Sequence, residues 1–448
     1  MSETENSAAQ KSLLDKVFKL SKHNTSIQTE VIAGLTTFMA MAYIILVIPS
    51  MLVNAGIPVN AAVAATIFST ALCTFAMGIF ANYPVALAPG IGLTAFFSFY
   101  VCGTQHLPWQ TGLGAVFISG IVFFILSVTK LRQMIIDAVP ATLKSAIVVG
   151  IGLFIAFIGL QSSGIVASSE STKVTLGNLA DPSIALACLG LLLISVLLAL
   201  KIRAAIIIGI AVVTAIGMIL GISPHPTSLN EVVSFELPDL DAVFLEMDIM
   251  GAINYGLISV VFTFTVVELF DNIGTLIAVT KSAGLVNKDG HIENLDRALL
   301  TDSVGTMASA VIGTSTVTSY IESAAGVHAG GKTGLTAVVI SLCFLLAFLF
   351  TPLAAFVPAY ATAPALIIVG SMMLRNVMQI NFNDYSDSIP AFLTIIMMPL
   401  SYSIANGFGF GFTSYCVLKL FTGKAKEVTP VMWVIVIIFM CSFVMHLS

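Results

Sequence analysis

Charge is what this chain has least of. Only 9% of its 448 residues are Asp, Glu, Lys or Arg, against roughly 25% in an ordinary soluble domain, and mean hydropathy is +1.03. No soluble fold hides that much apolar surface, which excludes a water-soluble class. Basic residues are scarcer than acidic ones, 18 against 23 for a net charge of -5, so the cationic footprint of nucleic-acid binding is missing. The six cysteines (Cys73, Cys102, Cys188, Cys343, Cys416, Cys441) contain no CxxC pair and sit in or beside apolar runs. They read as small buried hydrophobes, and neither disulfides nor metal ligands are expected. Paired histidines, a metal motif and a nucleophile constellation are lacking too, which makes a membrane-embedded enzyme the weaker class. Met1 to Gln28 is polar, carries Lys11, Lys16, Lys19 and Lys22, and has no apolar stretch with a cleavage site, so it is not a signal peptide.

Long apolar runs are what the chain has in plenty. They fall near 30–52, 60–80, 86–101, 111–129, 141–162, 181–200, 203–221, 251–280, 299–313, 318–330, 334–352, 360–375, 389–403, 405–421 and 430–447, most of them about 15 to 25 residues long, the span of a hydrocarbon core. Numbered in that order as segments 1 to 15 and alternated from a cytoplasmic N-terminus, they put 17 of the 18 Lys and Arg residues on one side, Lys173 being the exception. That set is the four N-terminal lysines with Lys130, Arg132, Lys144, Lys201, Arg203, Lys281, Lys288, Arg297, Lys332, Arg375, Lys419, Lys424 and Lys426. The bias predicts orientation by the positive-inside rule. The opposite loop, Ser223 to Asp248, carries Glu231, Glu236, Asp239, Asp241, Glu246 and Asp248 and no cation. Run 430–447 is open between a fifteenth crossing and an interfacial helix.

Two segments differ from the rest. Segment 3 opens Leu87-Ala88-Pro89-Gly90-Ile91-Gly92, and segment 10 is short and polar, Thr318-Ser319-Tyr320-Ile321-Glu322-Ser323-Ala324-Ala325-Gly326. Both are expected to be interrupted helices, and they lie seven segments apart, as an inverted seven-plus-seven repeat requires. Matched broken segments point to a transporter's central site, because half-helix termini and freed backbone groups bind solute there; a Pro kink and a Gly/Ser packing helix are the plainer reading.

Three acids lie inside apolar runs without a cationic neighbour in sequence: Glu268, Asp271 and Glu322. An ionised carboxylate at the bilayer centre costs about 2.5–3.5 kcal/mol or more, so such residues face a cavity, are paired or are protonated. Glu268, Asp271 and Thr275 share one face of segment 8 at i, i+3 and i+7. Carboxyls in low dielectric hold protons more readily than in water, the physical basis for proton coupling. Glu322, with Ser319, Tyr320 and Ser323 beside it, suits a planar heterocycle that offers N–H donors along one edge. Phe38, Phe96, Phe97 and Tyr320 are candidate stacking faces, with plain packing the commoner role of any one of them. Gly326-Val327-His328-Ala329-Gly330-Gly331-Lys332-Thr333 fits the phosphate-loop pattern GxxxxGK[ST], but it joins two membrane segments where that loop must follow a strand in a soluble α/β domain. Lys332 is read as a cytoplasmic anchor, and Gly150, Gly152 and Gly159 as helix-packing positions.

Thr29-Glu30-Val31-Ile32-Ala33-Gly34-Leu35-Thr36-Thr37-Phe38, Ala88-Pro89-Gly90-Ile91-Gly92-Leu93, Phe270-Asp271-Asn272-Ile273-Gly274-Thr275-Leu276, Tyr320-Ile321-Glu322-Ser323 and Gly330-Gly331-Lys332-Thr333-Gly334 occur in order along the chain. With them the whole chain resembles the AzgA-like purine permeases of the nucleobase:cation symporter and nucleobase-ascorbate transporter superfamily. The resemblance implies proton-coupled uptake of hypoxanthine, guanine or adenine across a bacterial-type cytoplasmic membrane, with no cofactor beyond the coupling proton. It implies an all-α polytopic fold of about fourteen segments in two inverted repeats, with segments 1–4 and 8–11 as a core and 5–7 with 12–14 as a gate. The expected boundaries are a cytoplasmic segment 1–28, core 29–130, gate 131–222, outer loop 223–248, core 249–353 and gate with C-terminal segment 354–448. Substrate contacts are expected from Phe38, Thr94, Ala95, Asp271, Thr275, Ser319, Tyr320 and Glu322, and proton coupling from Glu268, Asp271 and Glu322. Two departures stand out: Thr94 where many members have Asn, and Ile48 before Pro49 where many have Asn. The first bears on which purine is carried. The assembly is open, a homodimer being one option. An anion transporter or channel of the same architecture is the alternative, since broken-helix N-termini attract anions.

Overall fold

The computed structural model describes residues 13–129, 131–235, 240–285 and 292–447. Lys11, Lys130, Lys288, Glu236 and Asp239 lie outside them. Among the described residues, eight helices are long and apolar enough to cross a membrane, and shorter apolar helices stand at Ile91–Thr104, Ala205–Ile219, Tyr385–Leu400 and Pro430–Cys441. Each apolar run of the sequence is occupied by one of these helices, by the helix Leu295–Ile312 or Ile404–Phe421, or by segment 10.

Segments 3 and 10 are broken more deeply than an interrupted helix. Each starts as an extended strand, Leu87–Pro89 and Val317–Ser319, and the two strands pair antiparallel with Leu87 opposite Ser319, Ala88 opposite Thr318 and Pro89 opposite Val317. Local chemistry favours this. Ala88 precedes a proline and is therefore biased to extended backbone, and Thr316-Val317-Thr318 is a β-branched run. Gly313, at φ 105°, ends the helix Leu295–Ile312 just upstream. Extended backbone at membrane depth is tolerated only when buried in protein with its polar groups satisfied. Here the ladder is extended by Gly90 N–H to Thr316 O and Tyr320 N–H to Ala86 O, both 3.0 Å. After the strands the chain turns into the helices Ile91–Ala95, continued by wider turns to Thr104, and Ser323–His328.

The segments pack in two groups. Segments 1–4 contact 8–11, mainly through helix 295–312 against Trp109–Val128 and helix 334–347 against 27–41 and 59–76. Segments 5–7 contact 12–14, mainly through helix 141–162 against 359–373 and 385–400. Close helix approach in the second group runs through the glycines: a Cβ on Gly152 would lie 2.8 Å from Gly370 O, and one on Gly159 2.8 Å from Ala363 O. The final helix, Pro430–Leu447, packs along segment 14, where Phe439 meets Phe408 and Phe412, and also touches Phe262 of segment 8. Run 251–280 is divided: Ile249–Asn254 is a separate turn, and Gly256, at φ 63°, breaks the chain before Ile258–Ser282. A hairpin, Val166–Ser169 with Lys173–Leu176, fills the loop after segment 5.

Candidate functional site

The strand crossing is where the sequence-predicted acids converge. Glu322 stands at the start of helix 323–328 and is half-buried. The Tyr43 hydroxyl donates to its Oε1 at 2.7 Å. Tyr43 lies at the break between helices Ile27–Met41 and Ile44–Leu52 and is 1% exposed, so its ring is fixed and the carboxyl is aimed. Asp271 faces Glu322 and Thr318 from segment 8 and keeps partial exposure. The same helix face continues through exposed Gly274, where a Cβ would meet no neighbour within 4 Å, and exposed Ile277 to exposed Lys281. Exposure along this helix thus rises from Asp271 toward the Lys281 end of segment 8. Val47, Ile48, Met51 and Leu52, which follow Tyr43 on segment 1, are each 1% exposed or less.

The three acids are treated differently. Glu268 is fully buried and faces segment 9, where the Thr306 hydroxyl donates to its Oε1 in a short hydrogen bond. Its Oε2 has no partner among the described residues. Thr275, 8% exposed, lies one turn beyond Asp271. Sequence reasoning missed a fourth acid, Asp302, because it lies near the polar start of its run; in the fold it is fully buried and accepts a short hydrogen bond from Asn272 Nδ2. Asn272 Oδ1 in turn accepts from Ser319 N–H at 2.6 Å. One amide thus ties segment 8 to segment 9 and to the strand that delivers Glu322. Its position next to Asp271 was the available signal.

The remaining candidates are distributed around this centre. Thr94 is fully buried with its hydroxyl 2.6 Å from that of Ser315, and Ala95 is fully buried. The Ser319 hydroxyl is buried without a hydrogen-bond partner among the described residues. Tyr320 donates to Pro89 O at 2.5 Å, which bolts the two strands together. Phe38 is half-buried and meets Phe344 edge-on at 5.2 Å. Phe96 and Phe97 are fully buried, Phe96 between Tyr100 and Phe264. The phosphate-loop look-alike has an internal anion ligand: Glu30 of segment 1 accepts from Lys332 N–H at 3.0 Å, Thr333 N–H at 3.2 Å and the Thr336 hydroxyl at 2.5 Å. Its carboxyl sits where a phosphate would otherwise be cradled. No cluster of metal-ligating side chains is present among the described residues.

Two antiparallel broken segments, each a strand turning into a helix and meeting over membrane-depth carboxyls, define a multi-pass transporter of the inverted-repeat class. The transmembrane domain of a cyanobacterium bicarbonate transporter, BicA, has this fold, with a TM-score of 0.63 at 15% identity, covering 85% of this chain and 97% of that one; the shared architecture is two inverted seven-segment halves. A model described as "Permease family" matches residues 28–410. The chain is 43% identical over 432 residues to the adenine permease AdeP of Escherichia coli K12, covering 96% of each. It is equally 43% identical over 432 residues to the guanine/hypoxanthine permease PbuO of Bacillus subtilis, covering 94% of this chain and 98% of that one. The chain belongs to this permease family, whose members are transporters and not enzymes.

Proposed function

We propose that the protein imports purine nucleobases together with protons by alternating access. The observation that carries this reading is the Tyr43–Glu322 pair facing Asp271 across the strand crossing, in a chain 43% identical to permeases named for adenine and for guanine and hypoxanthine. A carboxyl fixed at 2.7 Å by a tyrosine keeps its second oxygen for an N–H edge of the base. Asp271, partly open to the cavity, is the group that exchanges a proton with the Lys281 end, and Glu268 is held behind it. The core comprises 29–130 and 249–353 and the gate 131–222 and 354–448, with 1–28 and the Lys281 end cytoplasmic, loop 223–248 outside, and a homodimer as the assembly. The anion reading is weaker, because among the described residues no ion pair offsets the acids at the crossing.

The test is uptake of labelled hypoxanthine by cells lacking their own purine carriers, competed by guanine, adenine, xanthine and uracil. Uptake that resists all purines sinks the substrate; uptake indifferent to a protonophore leaves a facilitator.

A further inference from the structure

The two packing groups meet along a seam that is almost wholly apolar. Among the described residues, one hydrogen bond and one cation–π contact join segments 1–4 and 8–11 to segments 5–7 and 12–14, beside an edge-on contact of the Phe99 and Tyr402 rings at 6.4 Å, and both cations come from the second group. Arg203, in the turn between segments 6 and 7, donates from Nη1 to the Thr36 hydroxyl at 3.2 Å. Lys144, in the first turn of segment 5, places Nζ 5.9 Å from the centroid of the Phe270 ring. Thr36 lies on the helix that leads to Tyr43, and Phe270 immediately precedes Asp271. The two contacts therefore bracket the helices that supply the site. Neither Lys144 nor Arg203 takes part in the ion pairs seen among the described residues, though Asp137 of the same group acts on Lys144 through space.

At the opposite end the seam differs. There a cavity of about 210 Å3 separates the groups, lined by Ser50, Asn54, Phe99, Ser162 and Thr362, and no polar contact bridges it among the described residues. Thr362 is 3% exposed, whereas Gly274 on the Lys281 side is exposed, and a Cβ added there would meet nothing within 4 Å. Directional contacts hold only when geometry is met, so two that cross a sliding interface belong to one arrangement of the groups. Apolar packing along the rest of the seam has no such requirement.

We propose that Lys144 and Arg203 are positioning residues of the transport step, a two-point latch that biases the groups toward the arrangement of this structure, in which Gly274 is exposed and Thr362 buried. Removing contacts made in one arrangement only shifts the population to the other. The inference rests on the alternating-access reading above.

The test uses two reporter cysteines, Thr362→Cys and Gly274→Cys, each read with a thiol reagent in membranes against the same chain without the reporter. With Lys144→Gln and Arg203→Gln combined, Thr362→Cys should label about tenfold faster and Gly274→Cys slower by a comparable factor. Lys144→Arg with Arg203 intact should keep the parental rates. Any result in which the reporters do not move in opposite directions overturns the latch; faster labelling at both marks a loosened fold. Labelling needs no purine, so a chain that moves no purine yet shows opposed shifts refutes the substrate reading and leaves the latch standing.

Discussion

Glu322 has its orientation set by another side chain, and that makes the pair separable by mutation. Tyr43→Phe keeps the buried ring and deletes one hydrogen bond, whose net worth is about 1 kcal/mol; purine affinity should fall about fivefold, with folded yield unchanged. Glu322→Gln retains shape but replaces an acceptor by a donor, so binding should weaken by considerably more. Isothermal titration with hypoxanthine distinguishes them, and wild-type affinity in Glu322→Gln would displace the site. Asp302 makes the opposite kind of prediction. Asp302→Leu strands the Asn272 amide in a buried position at a cost of about 1–3 kcal/mol, so the melting temperature in detergent should drop. Asp302→Asn, which keeps an acceptor, should recover most of that loss.

Elements are held by a few close approaches, and Glu30 governs the most instructive one. It anchors the loop after segment 10 to the start of segment 1, while a Cβ on Gly326 would lie 2.2 Å from Thr37 Oγ1 and 2.6 Å from Ala33 O. Gly326→Ala must push segments 1 and 10 apart, and overpacking of this kind costs about 1–3 kcal/mol; reduced folded yield by fluorescence-detected chromatography is expected, and a wild-type yield would refute the contact. The contrast with what could be read beforehand is physical. Hydrophobic period and length locate helices because the bilayer imposes both, and Pro89-Gly90 with the short polar stretch from Thr318 to Gly326 marked where helix fails. That the two failures become paired strands depends on contacts 230 residues apart in sequence, for Leu87–Ser319 a separation of about that size, and no local pattern encodes it. Glu268, Asp271 and Glu322 were legible because acids are rare in apolar runs. Tyr43 and Glu30 were not, since a tyrosine inside a run and an acid at its edge are ordinary until their partners are known.

At the scale of the molecule, the alternating-access reading requires one group of helices to move while staying intact, and one end of that group is stapled by charge. Lys424 Nζ lies 2.5 Å from Asp384 Oδ2 at the start of segment 13, and Lys419 reaches Asp387 at 2.9 Å and Glu427 at 2.7 Å. The Lys424 ammonium, with the Ser386 hydroxyl and N–H, holds the Asp384 carboxyl well below the usual carboxylate range. A depressed native pKa means stabilisation that is complete above the unfolded value, about 3.9, and that fades as pH falls through the native one. Asp384→Asn should accordingly lower thermal stability at pH 7 by a modest, salt-sensitive amount, since the pair is partly exposed. The gap to wild type should narrow only below about pH 4; since Asn still caps Ser386 N–H, a gap independent of pH down to pH 3 would refute the lost carboxylate charge as its cause.

Coupling is the property of the whole that the acids at the crossing must deliver. If Asp271 carries the proton while Glu322 carries the base, the two functions come apart in proteoliposomes. Adding hypoxanthine outside wild-type vesicles should alkalinise the medium as purine and proton enter together. Asp271→Asn cannot release a proton and should lose that signal, while purine exchange at equal concentrations on both sides, which needs no net proton movement, should persist at a reduced rate. Glu268→Gln, one turn deeper and bonded to Thr306, should retain the alkalinisation. If Glu268→Gln abolished it and Asp271→Asn did not, the proton would ride on the fully buried acid, and its path to water would have to open through segment 9 and not along the Gly274 face.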